Sequence, residues 1–133
     1  METFATHKNA RISARKVRVY RDLLKGLSVR MADSQLRFLP GKSPKIMRAV
    51  LHSAIANAKN NFNATEDSLV VSDVIVDMGF SFKRFRPVSK GMAHPFIKRT
   101  AHVTVVVKGD VAEQKPVAKK KTTRKRVAKV KKK

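Results

Sequence analysis

Met78–Lys108 reads MGFSFKRFRPVSKGMAHPFIKRTAHVTVVVK. It divides into two extended arms that meet at Ser89-Lys90-Gly91, and no Asp or Glu occurs between Gly79 and Lys108. Arms of about eleven residues each would span roughly 36 Å at about 3.3 Å per residue. A domain of about 100 residues has a radius of gyration of only about 13 Å. A hairpin over 79–108 is therefore predicted to project from its own body. Pro87 and Pro95 each remove a ladder donor, which suits a ribbon in which both strands are edges. Such a ribbon is marginal alone in water, so something else must order it.

Side-chain alternation says what. On the first arm Lys83 points one way while Arg84 and Arg86 point the other, and on the second arm Lys98 and Arg99 take opposite faces. A ribbon lying on protein would alternate apolar and basic, whereas this one is basic on both sides and calls for a surrounding polyanion. Arg forks fit phosphate oxygens. Phe82, Phe85 and Phe96 either stack against bases or, with Phe80, cover the base of a sheet. The tip (Val88, Ser89, Lys90, Gly91, Met92, Ala93 and His94) is small or uncharged apart from Lys90, and is expected to face something other than backbone phosphate.

The rest of the chain agrees. Its 133 residues hold 31 Lys+Arg against 9 Asp+Glu, a formal charge of +22. Nucleic acid is the commonest partner for such an excess, with an anionic membrane surface second. The absence of Cys excludes disulfides and thiolate zinc sites. No apolar run has the length of a membrane span, and METFATHKNARIS has no apolar segment of the kind found in cleaved presequences. A cytosolic protein is expected. Residues 113–133 hold eleven Lys/Arg and one Glu and cannot bury a core. They are expected to form a basic disordered tail, either following RNA or merely solubilising, after a folded domain over 1–112.

Thr3–Lys8 fits a short edge strand. Ser13 can cap a helix in which Val17, Tyr20, Leu24 and Leu27 recur at helical spacing and which Gly26 ends. Asp22 is its only acid against Arg15, Arg18 and Lys25, with Arg11 just before it. Ser28 can cap a second helix, carrying Val29, Ala32, Leu36 and Leu39 and stopped by Pro40-Gly41. Ser43-Pro44 predicts an N-cap and first helical position for the third helix, whose stripe is Met47, Val50, Leu51, Ala54, Ile55 and Ala58. Asn57, Asn60 and Asn61 end it. Leu69–Met78 reads as a strand with apolar residues at both parities, hence buried on both faces or central in a sheet. Ala101–Val107 is a further strand. The pattern predicts an α+β domain with helices on one face of a small antiparallel sheet.

Four motifs in order resemble those of large-subunit ribosomal protein number 22, bacterial type, over about residues 2–108. They are Arg11-Ile12-Ser13-x-Arg15-Lys16; Ser53-Ala54-Ile55-Ala56-Asn57-Ala58 with Asn60 after it; Lys83-Arg84-x-x-Pro87; and Lys98-Arg99-Thr100-x-His102-Val103-Thr104-Val105-Val106. The resemblance implies three helices on a three-stranded antiparallel sheet with a long hairpin. It also implies large-subunit ribosomal RNA (23S type) as partner, touched in several RNA domains and organised during assembly. Neighbouring large-subunit proteins and, at the hairpin tip, the nascent peptide in its exit tunnel are further implied partners. Charge and resemblance together make Arg11, Ser13, Arg15, Lys16, Arg18, Asn57, Asn60, Lys83, Arg84, Arg86, Lys90, Lys98, Arg99, Thr100 and His102 the expected RNA-binding residues. The sequence departs from the family at the tip, where Val88 and Met92 stand in place of arginine, and at Ala14, where proline is common.

The rival reading is an architectural DNA-binding protein with basic β-arms of the HU-like kind. The Arg-Ile-Ser-x-Arg-Lys motif and the uncharged tip fit it less well. Catalysis has little support. His7, His52, His94 and His102 lie in different elements with no metal spacing, and Asp73 and Asp77 share a strand face without a catalytic partner. Asp73 is expected to pair with the basic arms. No phosphate-binding Gly loop or nucleophile elbow occurs, so no enzyme, cofactor, metal or membrane role is expected.

Overall fold

The computed structural model describes residues 1–109 of the protein; the tail expected at 113–133 lies outside the described residues. The order is β1 (Glu2–Ala10), α1 (Ala14–Arg18), α2 (Arg21–Leu24), α3 (Val29–Phe38), α4 (Lys42–Phe62), β2 (Val70–Pro87) and β3 (Ala93–Lys108). The fold is α+β, with the helices on a three-stranded antiparallel sheet. The predicted first helix is present as two segments. Tyr20 N–H bonds to the Val17 carbonyl at 3.0 Å, a tightened turn between α1 and α2. Val17 on α1 and Leu24 on α2 are both buried in the core, and Arg21 and Lys25 pair with Asp73.

The stripe of α4 is buried as its spacing predicts: Met47, Val50, Leu51, Ala54, Ile55 and Ala58. Its ends differ from expectation. The helix starts at Lys42, after Gly41, whose φ of 107° is a conformation that L side chains avoid. Ser43 is therefore not the N-cap; it is buried in the first turn, and its hydroxyl donates to the Lys16 carbonyl at 3.2 Å, fastening α4 to α1. At the other end the left-handed cap is Asn63 (φ 51°), whose N–H bonds to the Lys59 carbonyl at 2.9 Å. Asn57, Asn60 and Asn61 all lie inside the helix.

The strand order is β1-β3-β2, so the central strand is β3 and β2 is an edge, contrary to the reading of its double-parity pattern. A bulge explains that pattern. Val71 pairs with Val107 while Asp73 pairs with Val106, leaving Ser72 as the extra residue. Val71 and Val74, although three apart, then both point to the helices, with Val76 beside them. The exposed edge of β2 is covered by the turn after α2. Gly26 N–H bonds to the Val71 carbonyl (2.8 Å), Val71 N–H to the Leu27 carbonyl (2.9 Å) and Val29 N–H to the Leu69 carbonyl (3.1 Å). On β3, Ala101, Val103, Val105 and Val107 alternate inward and close the core against Leu36, Met47 and Leu51.

Candidate nucleic-acid interface

Beyond the body, β2 and β3 continue as a two-stranded ribbon, paired from Ser81↔Arg99 to Pro87↔Ala93. Every residue from Ser81 to Arg99 is exposed. The ribbon leaves the sheet at a second bulge, between Met78 and Ser81. Gly79 sits there, and a Cβ on it would lie 2.6 Å from Thr100 Oγ1 and 3.2 Å from His102 Nε2. Thr100 is only 3% exposed and its hydroxyl donates to the Phe80 carbonyl. It holds the ribbon's root through that bond, and it also lines two of the grooves at the root. His102 Nδ1 accepts the Asn9 N–H at 3.0 Å, at the bulge where Asn9 takes a φ of 56°.

The register sorts the ribbon's side chains. Lys83, Phe85, Pro87, Ala93, Pro95, Ile97 and Arg99 share one face; Phe82, Arg84, Arg86, His94, Phe96 and Lys98 share the other. Both faces carry cations, as the alternation predicted. On the second face the Arg84 guanidinium lies 5.8 Å from the Phe82 ring centroid and Lys98 Nζ 5.9 Å from that of Phe96. Phe80 and Phe82 meet edge to face at 5.1 Å. Phe80 stays 69% exposed, so it does not cover the sheet's base. The tip turn runs from Val88 to Met92, closed by Val88 N–H to the Met92 carbonyl at 2.8 Å. Lys90 and Gly91 both take left-handed backbone, with φ of 59° and 69°. Lys90 is the costlier of the two, because only glycine adopts that region freely.

Around the root, three adjoining grooves gather basic residues from separate elements. Ser13, Arg15 and Arg18 face Gly79, Ser81 and Arg99 across the first. Arg11, Ser13 and Lys16 line the second with Tyr20 and Lys42. Arg11 and Lys42 meet Phe82, Lys98 and Arg99 in the third. Lys42 was missed by the sequence reading. Its signal was a cation in the first turn of a helix, where the macrodipole disfavours it, placed after a Pro-Gly stop. Arg18 is partly engaged, donating from Nε and Nη2 to the Val76 carbonyl at 3.3 and 3.1 Å. Asn57 is not free either, since its Nδ2 donates to the Phe4 carbonyl at 3.0 Å and ties α4 to β1. Asn60 is exposed on α4, away from the ribbon grooves.

The acids that form ion pairs among the described residues lie away from the ribbon. Asp33 pairs with Arg48 and His52, Asp67 with Arg30, Glu66 with Lys59, and Glu2 with Lys108. Asp73, expected to meet the basic arms, instead pairs with Arg21 and Lys25 of the helical layer. Its carboxyl is held below the ordinary range, first by the Val74 N–H and then by those cations. Hydrogen bonds from Arg48 to Asp33 and from Lys59 to Glu66 lower those carboxyls likewise. Among the described residues, no ion pair involves Arg11, Arg15, Lys16, Arg18, Lys42, or any Lys or Arg between 83 and 99. No cluster of three or more metal-ligating His, Cys, Asp or Glu occurs among them.

A family profile described as "Ribosomal protein L22p/L17e" matches residues 5–108. The chain belongs to that family. The match starts within β1 and stops at the last residue of β3, so the L22p/L17e region takes in the body and the entire ribbon. The large ribosomal subunit protein uL22 of Pediococcus pentosaceus is 50% identical over 103 residues, covering 77% of this chain and 87% of that protein. The L22p/L17e assignment bears out the resemblance read from the four sequence motifs.

Proposed function

We propose that this L22p/L17e protein is a structural constituent of the large ribosomal subunit that binds its ribosomal RNA through the ribbon and the basic collar at its root. The observation that carries this is electrostatic. The paired acids neutralise the helical layer and the sheet's far end, while among the described residues the ribbon and collar cations have no acid partner and are exposed, Arg18 alone of the collar being partly engaged by the Val76 carbonyl. A ribbon that buries nothing of its own is ordered by what surrounds it. Several elements feed the collar, which supports contact with more than one RNA segment and a part in assembling them. The lightly charged tip, Val88–His94, suits the wall of the nascent-peptide tunnel, where an open space replaces phosphate. Neighbouring subunit proteins complete the partners, the setting is the cytoplasmic ribosome, and the role is binding, not catalysis.

The test is the salt dependence of binding to large-subunit RNA. Every phosphate left without its cation lowers the log–log salt slope by about 0.7–0.9. Replacing Lys83, Arg84, Lys98 and Arg99 together by Ala should reduce the slope by up to about 3.6. An unchanged slope would mean that the ribbon is not the main RNA-binding element. Material that copurifies with the chain and is destroyed by DNase but not RNase would favour the DNA-binding alternative.

A further inference from the structure

We infer that the ribbon face bearing Phe82, Arg84, Phe96 and Lys98 is a stacking site for unpaired bases of an extended RNA strand, a function distinct from phosphate neutralisation. The inference rests on the RNA-binding reading and specifies what one face of the ribbon recognises. The four residues form a checkerboard: Phe82 is directly opposite Lys98 and Arg84 directly opposite Phe96, so ring and cation alternate both across and along the ribbon. Each ring is 38–40% exposed and lies under a cation. Phosphate binding alone needs no rings, and base faces inside a duplex are already stacked on one another. Rings that alternate with cations match a strand presenting base and phosphate in turn.

Spacing narrows the ligand further. Phe82 and Phe96 are diagonal neighbours, about 7–8 Å apart, roughly twice the 3.4 Å step of a stacked strand. Consecutive bases therefore reach both rings only when the strand is unstacked and drawn out. The opposite face has no such alternation: Phe85 faces Pro95 and Lys83 faces Ile97, and neither ring–cation pair lies there.

The experiment compares the full chain with its Phe82→Leu/Phe96→Leu double variant, by fluorescence anisotropy on labelled oligouridine and on an RNA duplex of equal length. Both rings lie on the exposed ribbon, so the core is untouched, and Phe38→Leu removes an exposed ring outside the ribbon as a control. Loss of stacking should weaken oligouridine binding about tenfold or more. The salt slope should stay unaltered and duplex affinity should remain within about twofold, since every phosphate-binding cation is retained. Equal losses on both RNAs, no loss on oligouridine, or the same loss from Phe85→Leu would each overturn the assignment. A parent chain that bound neither RNA would overturn the RNA-binding reading and this inference with it.

Discussion

Three side chains converge on Gly79, and the tightest approach, from Thr100 Oγ1, cannot relax without losing its hydrogen bond to Phe80. Gly79→Ala should therefore destabilise the domain by about 1–3 kcal/mol, as overpacking does; a urea midpoint equal to that of the parent chain would show that the root has slack. Asp33 supplies a second residue-level test. Arg48 holds its carboxylate from Nε at 2.7 Å and Nη2 at 3.1 Å, and its folded pKa lies below the usual value. A depressed carboxyl pKa gives stability that is complete above the unfolded value, about 3.9, and is lost as pH falls through the lower folded value. Asp33→Asn should thus be less stable than the parent at neutral pH, and the gap in urea midpoints should close below about pH 4. A gap that persists in acid would assign the effect to packing.

At the scale of elements, ribbon and body are separable. Replacing residues 83–97 by Asn-Gly, a two-residue hairpin loop, would leave the Phe82↔Lys98 pair flanking a short turn. Thermal unfolding of the remaining body should shift by only a few degrees, because nothing from Ser81 to Arg99 is buried; a body that fails to fold would mean the ribbon supports the core. The elements also differ in how readily they are read from sequence. The α4 stripe is a pure period of 3.6 over many turns, and neither cap changes it. The split between α1 and α2 left no trace, since Val17 and Leu24 keep helical spacing across it. The β2 bulge was visible but misread. Val71 and Val74 in opposite parity fit two-sided burial as well as an inserted residue, and only the partner strand decides between them.

For the molecule as a whole, charge is distributed by layer. A chain of formal charge +22, most of whose paired acids among the described residues serve the helical side, should suffer self-repulsion at low ionic strength. Raising chloride from about 0.1 M to about 1 M shortens the screening length from about 10 to about 3 Å, and should raise the unfolding midpoint of the free protein by a few degrees; a falling midpoint would mean that its internal ion pairs outweigh the repulsion. The ribbon's share of the binding surface was legible because an acid-free run with alternating cations is a local signal. The collar was legible only in part. Arg11, Arg15 and Lys16 lie together in a motif, but Lys42 joins them through folding alone, and the protein partners of Asn57 and Thr100 are known only from the fold. The strand order has a consequence in time. Since β1 pairs with β3, as Glu2 does with Lys108, the earliest-made strand of the sheet waits for the last one before it has a neighbour. Until Ala101–Lys108 has been synthesised the sheet has no middle, and the helices have only a fragment to pack on. The domain therefore becomes foldable late and all at once, with the largest loop closure it contains as its final step.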